Sequence, residues 1–225
     1  TLRVGSSTMN LFKKNEDKQV KACRPEVLGW LENKLSDKEM EYLWRCVDKR
    51  KESMKKNLAG QIHDSNILFD KGDWFWQHTL LPLCKEYQEQ FYNLGSDAPV
   101  NQLHPYYLQK MWVNYQKQNE FNPIHHHNGV YSFVIWMKIP TKHFEQNKNP
   151  ISLKANTHLI SAFQLQFKDI IGQTCKYTYE MNPEMEGTML FFPAKLSHVV
   201  YPFYNCEEDR ISISGNISLN TTKLL

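Results

Sequence analysis

The residues best suited to chemistry are histidines in two distant segments of the chain. His125, His126 and His127 stand directly before the most apolar stretch, and His198 comes later, after a Phe-Phe-Pro sequence. Neutral imidazole is a ligand for iron, zinc, copper or nickel. In extended backbone, alternate side chains point to one side, so His125 and His127 can share an ion while His126 faces away. A metal-free polar turn is the alternative for the triplet, and the later His198 favours the metal.

Composition indicates a chain that folds around a core. Of its 225 residues, 41% are hydrophobic and 13% aromatic, and the net charge of +3 gives no strong attraction to nucleic acid or anionic membrane. The apolar stretches are too short to cross a bilayer, and the first residues do not resemble a secretory signal. The five cysteines form no C-x-x-C pair, which argues against disulfides and a zinc knuckle. We expect reduced thiols and a cytoplasmic setting.

The first half of the chain has mainly helical patterns. Ser36 and Glu39 form a capping box, followed by apolar residues at helical spacing. A third helix rich in tryptophan and leucine is expected to pack against a sheet. The predicted elements are helices at 25–34, 37–56 and 73–95, and an early strand near 62–69.

From Tyr106 the pattern changes to short strands rich in β-branched and aromatic residues. The predicted strands are 111–115, 131–137, 175–181, 188–192, 198–203 and 210–219. Residues 140–172 have a weak, polar pattern, which predicts a long loop and a candidate lid. Many short strands without helices between them favour a barrel or jelly roll. We predict a mainly β fold with some α: a double-stranded β-helix (jelly roll) core at 106–225, with an N-terminal helical region at 1–105 packed on one sheet.

The order of these motifs resembles the 2-oxoglutarate and iron(II)-dependent oxygenases, in particular a prolyl-hydroxylase-like branch of bacteria and marine bacteriophages. The resemblance covers roughly residues 106–220. Its elements are H-x-H at His125 and His127, a strand beginning near Ser132, G-x-x-x-x-F-P from Gly187 to Pro193, His198, and R-x-S at Arg210 and Ser212. It implies a dioxygenase with Fe(II) and 2-oxoglutarate as cofactors, which hydroxylates a substrate while 2-oxoglutarate loses carbon dioxide.

The resemblance also implies roles for single residues. His125 and His198 would bind iron and serve catalysis, and Arg210 would clamp the far carboxylate of 2-oxoglutarate bidentately, with a bond from Ser212. Asn114, on the preceding strand, could hydrogen-bond 2-oxoglutarate or could instead satisfy backbone groups.

One position departs from the family pattern. Two histidines and one carboxylate bind iron in this family, but His127 stands where the acid belongs. His127 can be the third metal ligand, an acid such as Glu120 can substitute, or the position can be left to water or an anion. We favour His127, because its spacing fits and imidazole is a competent ligand.

Two other classes of function stay open. A cupin-like protein could use the same barrel with zinc or manganese, but it would have no reason to keep Arg210. An inactive interaction domain that has lost its iron is supported by the missing acid. The substrate, a small molecule or a peptide, cannot be read from the sequence, and neither can the oligomeric state.

Overall fold

A computed structural model describes residues 28–49, 52–53, 62–100 and 102–224, and shows two antiparallel sheets packed face to face. The helices are α1 (Asp37–Asp48), α2 (Leu81–Gln90), which continues a π-helical segment at Trp76–Leu80, and α3 (His143–Gln146). The strands are β1 (Leu31–Lys34), β2 (Glu52–Ser53), β3 (Asp64–Leu68), β4 (Tyr106–Gln116), β5 (Asn122–His125), β6 (Tyr131–Lys138), β7 (Ala162–Lys168), β8 (Thr174–Glu180), β9 (Thr188–Pro193), β10 (Ser197–Val200) and β11 (Arg210–Leu219). None of the helices in these ranges is long and apolar enough to cross a membrane.

The larger sheet has the strand order β1-β9-β6-β11-β4-β3-β2, and the smaller has the order β5-β10-β7-β8. Every pair of neighbouring strands is antiparallel. The prediction of a mainly β protein of jelly-roll type is thereby confirmed.

The larger sheet has two chemically different faces, because side chains alternate along each strand. On β11, Ile213 belongs to an apolar cluster that also contains Tyr87 of α2, whereas Ser212 lines a cavity between the sheets. On β4, Val113 joins the same apolar cluster and Trp112 lines the cavity. The sheet therefore separates a helix-side core from the cavity.

A β-bulge interrupts this alternation at the start of β4. Asn216 pairs with Lys110 and the next residue, Ile217, pairs with Leu108, which leaves Gln109 as the extra residue. Leu108 packs against the helix-side core, while Lys110 lines the cavity. The bulge thus lets both residues reach their respective faces.

The N-terminal predictions are partly confirmed. The capping box is present, with the Ser36 backbone N–H donating to Glu39 Oε2 at 2.8 Å, but α1 ends at Asp48 and β2 occupies residues that were predicted to be helical. The predicted strand at 62–69 is β3, which pairs with β4. The helix predicted at 25–34 is wrong for all of its described residues: 28–30 are irregular, and 31–34 form β1 on β9. Residues 25–27, 50–51 and 54–56 of these two predicted helices lie outside the described residues.

The predicted loop at 140–172 is also wrong, because it contains α3 and β7. Strand β7 lies inside the smaller sheet, between β10 and β8. Phe163 and Leu165 are buried on one face, while Gln164, on the other, donates to Thr178 Oγ1 at 2.9 Å. Polar glutamines inside a buried strand weakened the sequence pattern. The third helix was predicted too long as well, since α2 ends at Gln90 and a short 3-10 turn follows.

Candidate metal centre

Three histidine side chains meet in the cavity between the sheets. His125 at the end of β5 pairs with His198 of β10, and the backbone N–H of His127 donates to the Ala194 carbonyl at 2.8 Å. The possible ligand atoms of the three rings lie within 4.8 Å of one another. The Nε2 atoms of His127 and His198 are 3.2 Å apart, and the ring centroids of His125 and His198 are 4.2 Å apart. Residues distant in sequence thus form one compact donor set.

Backbone carbonyls determine which ring nitrogen is free on two of the histidines. Nδ1 of His125 lies 2.7 Å from the Pro123 carbonyl, and Nδ1 of His198 lies 3.0 Å from the Leu196 carbonyl. A carbonyl only accepts, so in each neutral ring Nδ1 carries the proton and donates it. The lone pair is then on Nε2, and such an outer hydrogen bond is the usual support of a histidine that binds a metal.

The site also keeps the three rings neutral. Burial lowers the pKa of His198 well below its ordinary value, and burial lowers the pKa of His125 as well. Burial, assisted by the charges of His125 and Lys110, lowers the pKa of His127 to about 4. At neutral pH all three imidazoles can therefore offer a lone pair, which metal binding requires.

The donor set fits a metal ion. Two ligands at 2.0–2.1 Å from one ion are separated by about 3.0–3.4 Å for ordinary coordination angles, and the His127 to His198 separation is 3.2 Å. A hydrogen bond between the rings of His127 and His198 would have a similar length. Such a bond would not explain why the His125 ring also lies close to both. Imidazole suits iron, zinc, copper and nickel, so the donors alone do not select the metal.

Among the described residues, no carboxylate belongs to this group. Glu120, the acid considered as a substitute, instead accepts from the backbone N–H groups of His63 at 3.0 Å and Lys117 at 2.8 Å. The structure therefore places Glu120 with His63, and it places His127 in the donor set.

The histidines open into a cavity of about 140 Å³. Asn114 and Ser212 both line it, as their positions on the cavity face of β4 and β11 require. The Ser65 hydroxyl donates to Asn114 Oδ1 at 2.8 Å, which orients the amide and leaves Nδ2 able to donate. No acidic side chain occurs among the described lining residues, which are Lys110, Trp112, Asn114, Asn122, His125, His126, His127, Phe133, Val134, Phe163, Phe192, His198, Val200, Ser212 and Ser214.

Arg210 is a buried cation two residues from Ser212 and outside the cavity lining. Its side chain lies 4.8 Å from the Phe203 ring centroid, and its Nη2 donates to Ser161 Oγ at 2.6 Å. Nη1 is 3.4 Å from Gln116 Oε1 and 3.4 Å from the Tyr201 carbonyl oxygen, and Nε has no partner among the described residues. Burial lowers the pKa of Arg210 to about 9, so it stays charged at neutral pH.

Arg210 makes no ion pair with any acid in the described ranges. An unpaired buried charge is costly, and an anion next to it would relieve that cost. Its surroundings therefore suit a carboxylate ligand.

Sequence reasoning missed three residues of this region. Lys110 and Trp112 could have been found, because they alternate with the predicted site residue Asn114 along β4. Ser161 gave no such signal: it lies in the predicted loop, and it reaches Arg210 through a left-handed backbone with φ of 54°.

Residues 110–216 match the family model described as "Putative 2OG-Fe(II) oxygenase". The matched segment is just under half of the chain, and it contains all six predicted site residues. This segment is similar to the 2-oxoglutarate and iron(II)-dependent oxygenases. The members of that family are enzymes, and their cofactors are Fe(II) and 2-oxoglutarate.

Comparison with solved structures gave matches of low sequence identity. A prolyl-4-hydroxylase of Pseudomonas putida is 13% identical, with a TM-score of 0.49, over 86% of this chain and 94% of that one. A viral collagen prolyl hydroxylase of Paramecium Bursaria Chlorella virus-1 is 12% identical, with a TM-score of 0.46, over 84% and 94%. A 2OG-Fe(II) oxygenase family oxidoreductase of Burkholderia pseudomallei is 12% identical, with a TM-score of 0.46, over 81% and 79%. A comparison with curated proteins gave no match.

Proposed function

We propose that the protein is a 2-oxoglutarate-dependent iron oxygenase that hydroxylates a small-molecule or peptide substrate. The observation that carries the proposal is the convergence of His125, His127 and His198, each neutral, on one point of a cavity in an oxygenase-family segment. In this proposal the three imidazoles bind Fe(II), and His127 takes the place of the usual acid. When bound, iron with 2-oxoglutarate and dioxygen supplies the oxidation: one oxygen atom enters the substrate, and succinate and carbon dioxide leave.

The protein's own residues would orient 2-oxoglutarate. Arg210 is a buried, charged fork without an acidic partner in the described residues, which suits the far carboxylate of 2-oxoglutarate. Ser212 stands two residues along the same face of β11, and Asn114 is its partner on β4. Both line the cavity and can hydrogen-bond the bound molecule.

Apolar side chains would keep bulk water from the reacting atoms. Phe163 and Phe192 lie with their ring centroids 5.7 Å and 5.2 Å from that of His198, and Val134 completes this wall. A dry wall strengthens every electrostatic contact inside the cavity and limits side reactions. It also holds the imidazole of His198 in place.

The deciding experiment is an anaerobic titration of the metal-free protein with Fe(II) and 2-oxoglutarate. The weak visible charge-transfer band of the chelate is followed in the wild type and in the His198→Ala and Arg210→Ala variants. We expect a band in the wild type, none in His198→Ala, and 2-oxoglutarate binding weakened at least tenfold in Arg210→Ala, the equivalent of about 1.4 kcal/mol. His78→Ala is the matched control. It removes an exposed histidine in the π-helical segment before α2, and it should behave as wild type.

A folded wild type that shows no band and retains no iron would refute this function. Zinc or manganese bound by the same histidines would then identify a cupin-like protein, and no bound metal would identify an inactive interaction domain.

A further inference from the structure

Lys110 is a cation on the cavity wall, whereas Arg210 is buried outside the cavity lining. Its ammonium lies 5.4 Å from the centroid of the Trp112 ring, and that ring is 5.8 Å from the ring of His127. Lys110 lies on the cavity face because it alternates with Trp112 and Asn114 along β4. In the described part of the chain it has no ion pair, although its side chain is exposed to solvent.

Lys110 and Arg210 lie at opposite ends of the same face. Arg210 pairs with Gln116 across the sheet, and Lys110 is six residues before Gln116 on β4. At about 3.3 Å per residue, the two backbone positions are roughly 20 Å apart. Trp112, whose ring lies beside that of His127, is between Lys110 and Gln116 on β4.

The charges in the cavity are one-sided. Lys110 is positive, and no acid occurs among the described lining residues. A divalent ion would add two further positive charges, without the negative ligand that a carboxylate would provide. A dianionic cosubstrate offsets only part of this excess, so the Lys110 end stays electropositive.

We propose that Lys110 binds an anionic group, a carboxylate or a phosphate, on the substrate that is oxidised. This inference rests on the proposed function, because it assigns the Arg210 end to 2-oxoglutarate. Trp112 supports the Lys110 ammonium through a cation–π contact, which places the charge on the histidine side of the cavity mouth. The substrate's reactive carbon then lies between its anionic group and the histidines.

The test measures binding rather than turnover. Protein saturated with Fe(II) and 2-oxoglutarate under anaerobic conditions is titrated with acetate, inorganic phosphate and acetamide, at constant ionic strength. Tryptophan fluorescence and the position of the charge-transfer band report the binding. Acetamide has the shape of acetate without its charge, and comparing acetate with phosphate tells which anion the site prefers.

We expect at least one anion to bind the wild type and acetamide to bind much more weakly. Lys110→Ala should weaken anion binding by at least about tenfold, the effect of one charge-assisted hydrogen bond, and Lys110→Arg should restore part of it. Lys195→Ala is the matched control, since that lysine bonds Asn128 beside the histidines but does not line the cavity.

Equal anion binding by Lys110→Ala and wild type would overturn the inference, as would a wild type that forms the band but binds neither anion. A wild type without the band would refute the oxygenase function itself, and with it the inference. The thermal midpoint of each variant confirms that it is folded.

Discussion

In the proposed function, His127 determines the charge of the donor set, because it would replace the usual acid by a neutral ligand. An aspartate at this position would add a negative charge beside the cation, whereas alanine would remove a ligand. We expect His127→Ala to weaken Fe(II) binding by at least about tenfold, and His127→Asp to bind at least as tightly as wild type. Competition with a chromogenic chelator measures both affinities. Iron affinity unchanged in His127→Ala would show that this imidazole is not a ligand.

Ser161 positions Arg210 at the cost of a left-handed backbone. Its hydroxyl oxygen accepts from Nη2 at 2.6 Å, and its φ of 54° is uncommon for a residue with a Cβ atom. Removing a hydrogen bond to a charged group costs about 1.5–3 kcal/mol. We expect both Ser161→Ala and Ser161→Gly to weaken 2-oxoglutarate binding about tenfold or more, without changing iron binding.

The two Ser161 variants should differ in stability. Glycine adopts positive φ without a steric penalty, so Ser161→Gly should unfold at a higher temperature than Ser161→Ala. Ser132→Ala, which removes another buried hydroxyl bonded to Asn216, controls for the general loss of a core hydrogen bond. Normal 2-oxoglutarate affinity in Ser161→Ala would contradict a positioning role.

Strand β11 carries Arg210 and Ser212, and it pairs with both β4 and β6. Gly215 is the point of closest approach on this strand. A Cβ atom there would lie 2.4 Å from Phe133 Cζ and 2.8 Å from the Lys110 carbonyl oxygen. The ring of Phe133 therefore fits only because residue 215 has no side chain.

We expect Gly215→Ala to destabilise the protein by about 1–3 kcal/mol, because the overlap forces the ring and the backbone to shift. Chemical denaturation measures the free energy of unfolding. Ser218→Ala, on the same strand but at a partly exposed position, should change it by less than about 0.5 kcal/mol. A Gly215→Ala variant as stable as wild type would mean that β11 and β6 can separate without cost.

The described residues before 106 extend the larger sheet and cover one of its faces. Strand β1 pairs with β9, β3 pairs with β4, and Leu43, Leu80 and Tyr87 belong to the helix-side core. The division into regions 1–105 and 106–225 stays a prediction. Without the first region, apolar residues of four long strands would face water.

We therefore expect a fragment of residues 106–225 to lack a cooperative unfolding transition and to bind a dye specific for exposed apolar surface. Circular dichroism during heating measures the unfolding transition, and dye fluorescence measures the exposed apolar surface. The full chain is the reference for both. A fragment that unfolds cooperatively and binds Fe(II) would show that the second region folds independently.

The strands with strong apolar alternation and the donor types of the site could be predicted from the sequence. β6, β9 and β11 agree with their predicted positions within about two residues, because their patterns are strong and local. His125, His127 and His198 were identified from their spacing and from the order of the motifs. Both can be read from the sequence without knowledge of the fold. Arg210 and Ser212 were found in the same way.

Only the tertiary structure decided the rest, since the deciding contacts join residues far apart in the chain. Strand β7 has glutamines on one face and was predicted as loop, yet pairing on both sides makes it a strand. β1 became a strand because β9 offered an edge to pair with. Ser161 meets Arg210 through a left-handed backbone, and the bulge at Gln109 turns Leu108 to the helix-side core; local propensity specifies neither feature.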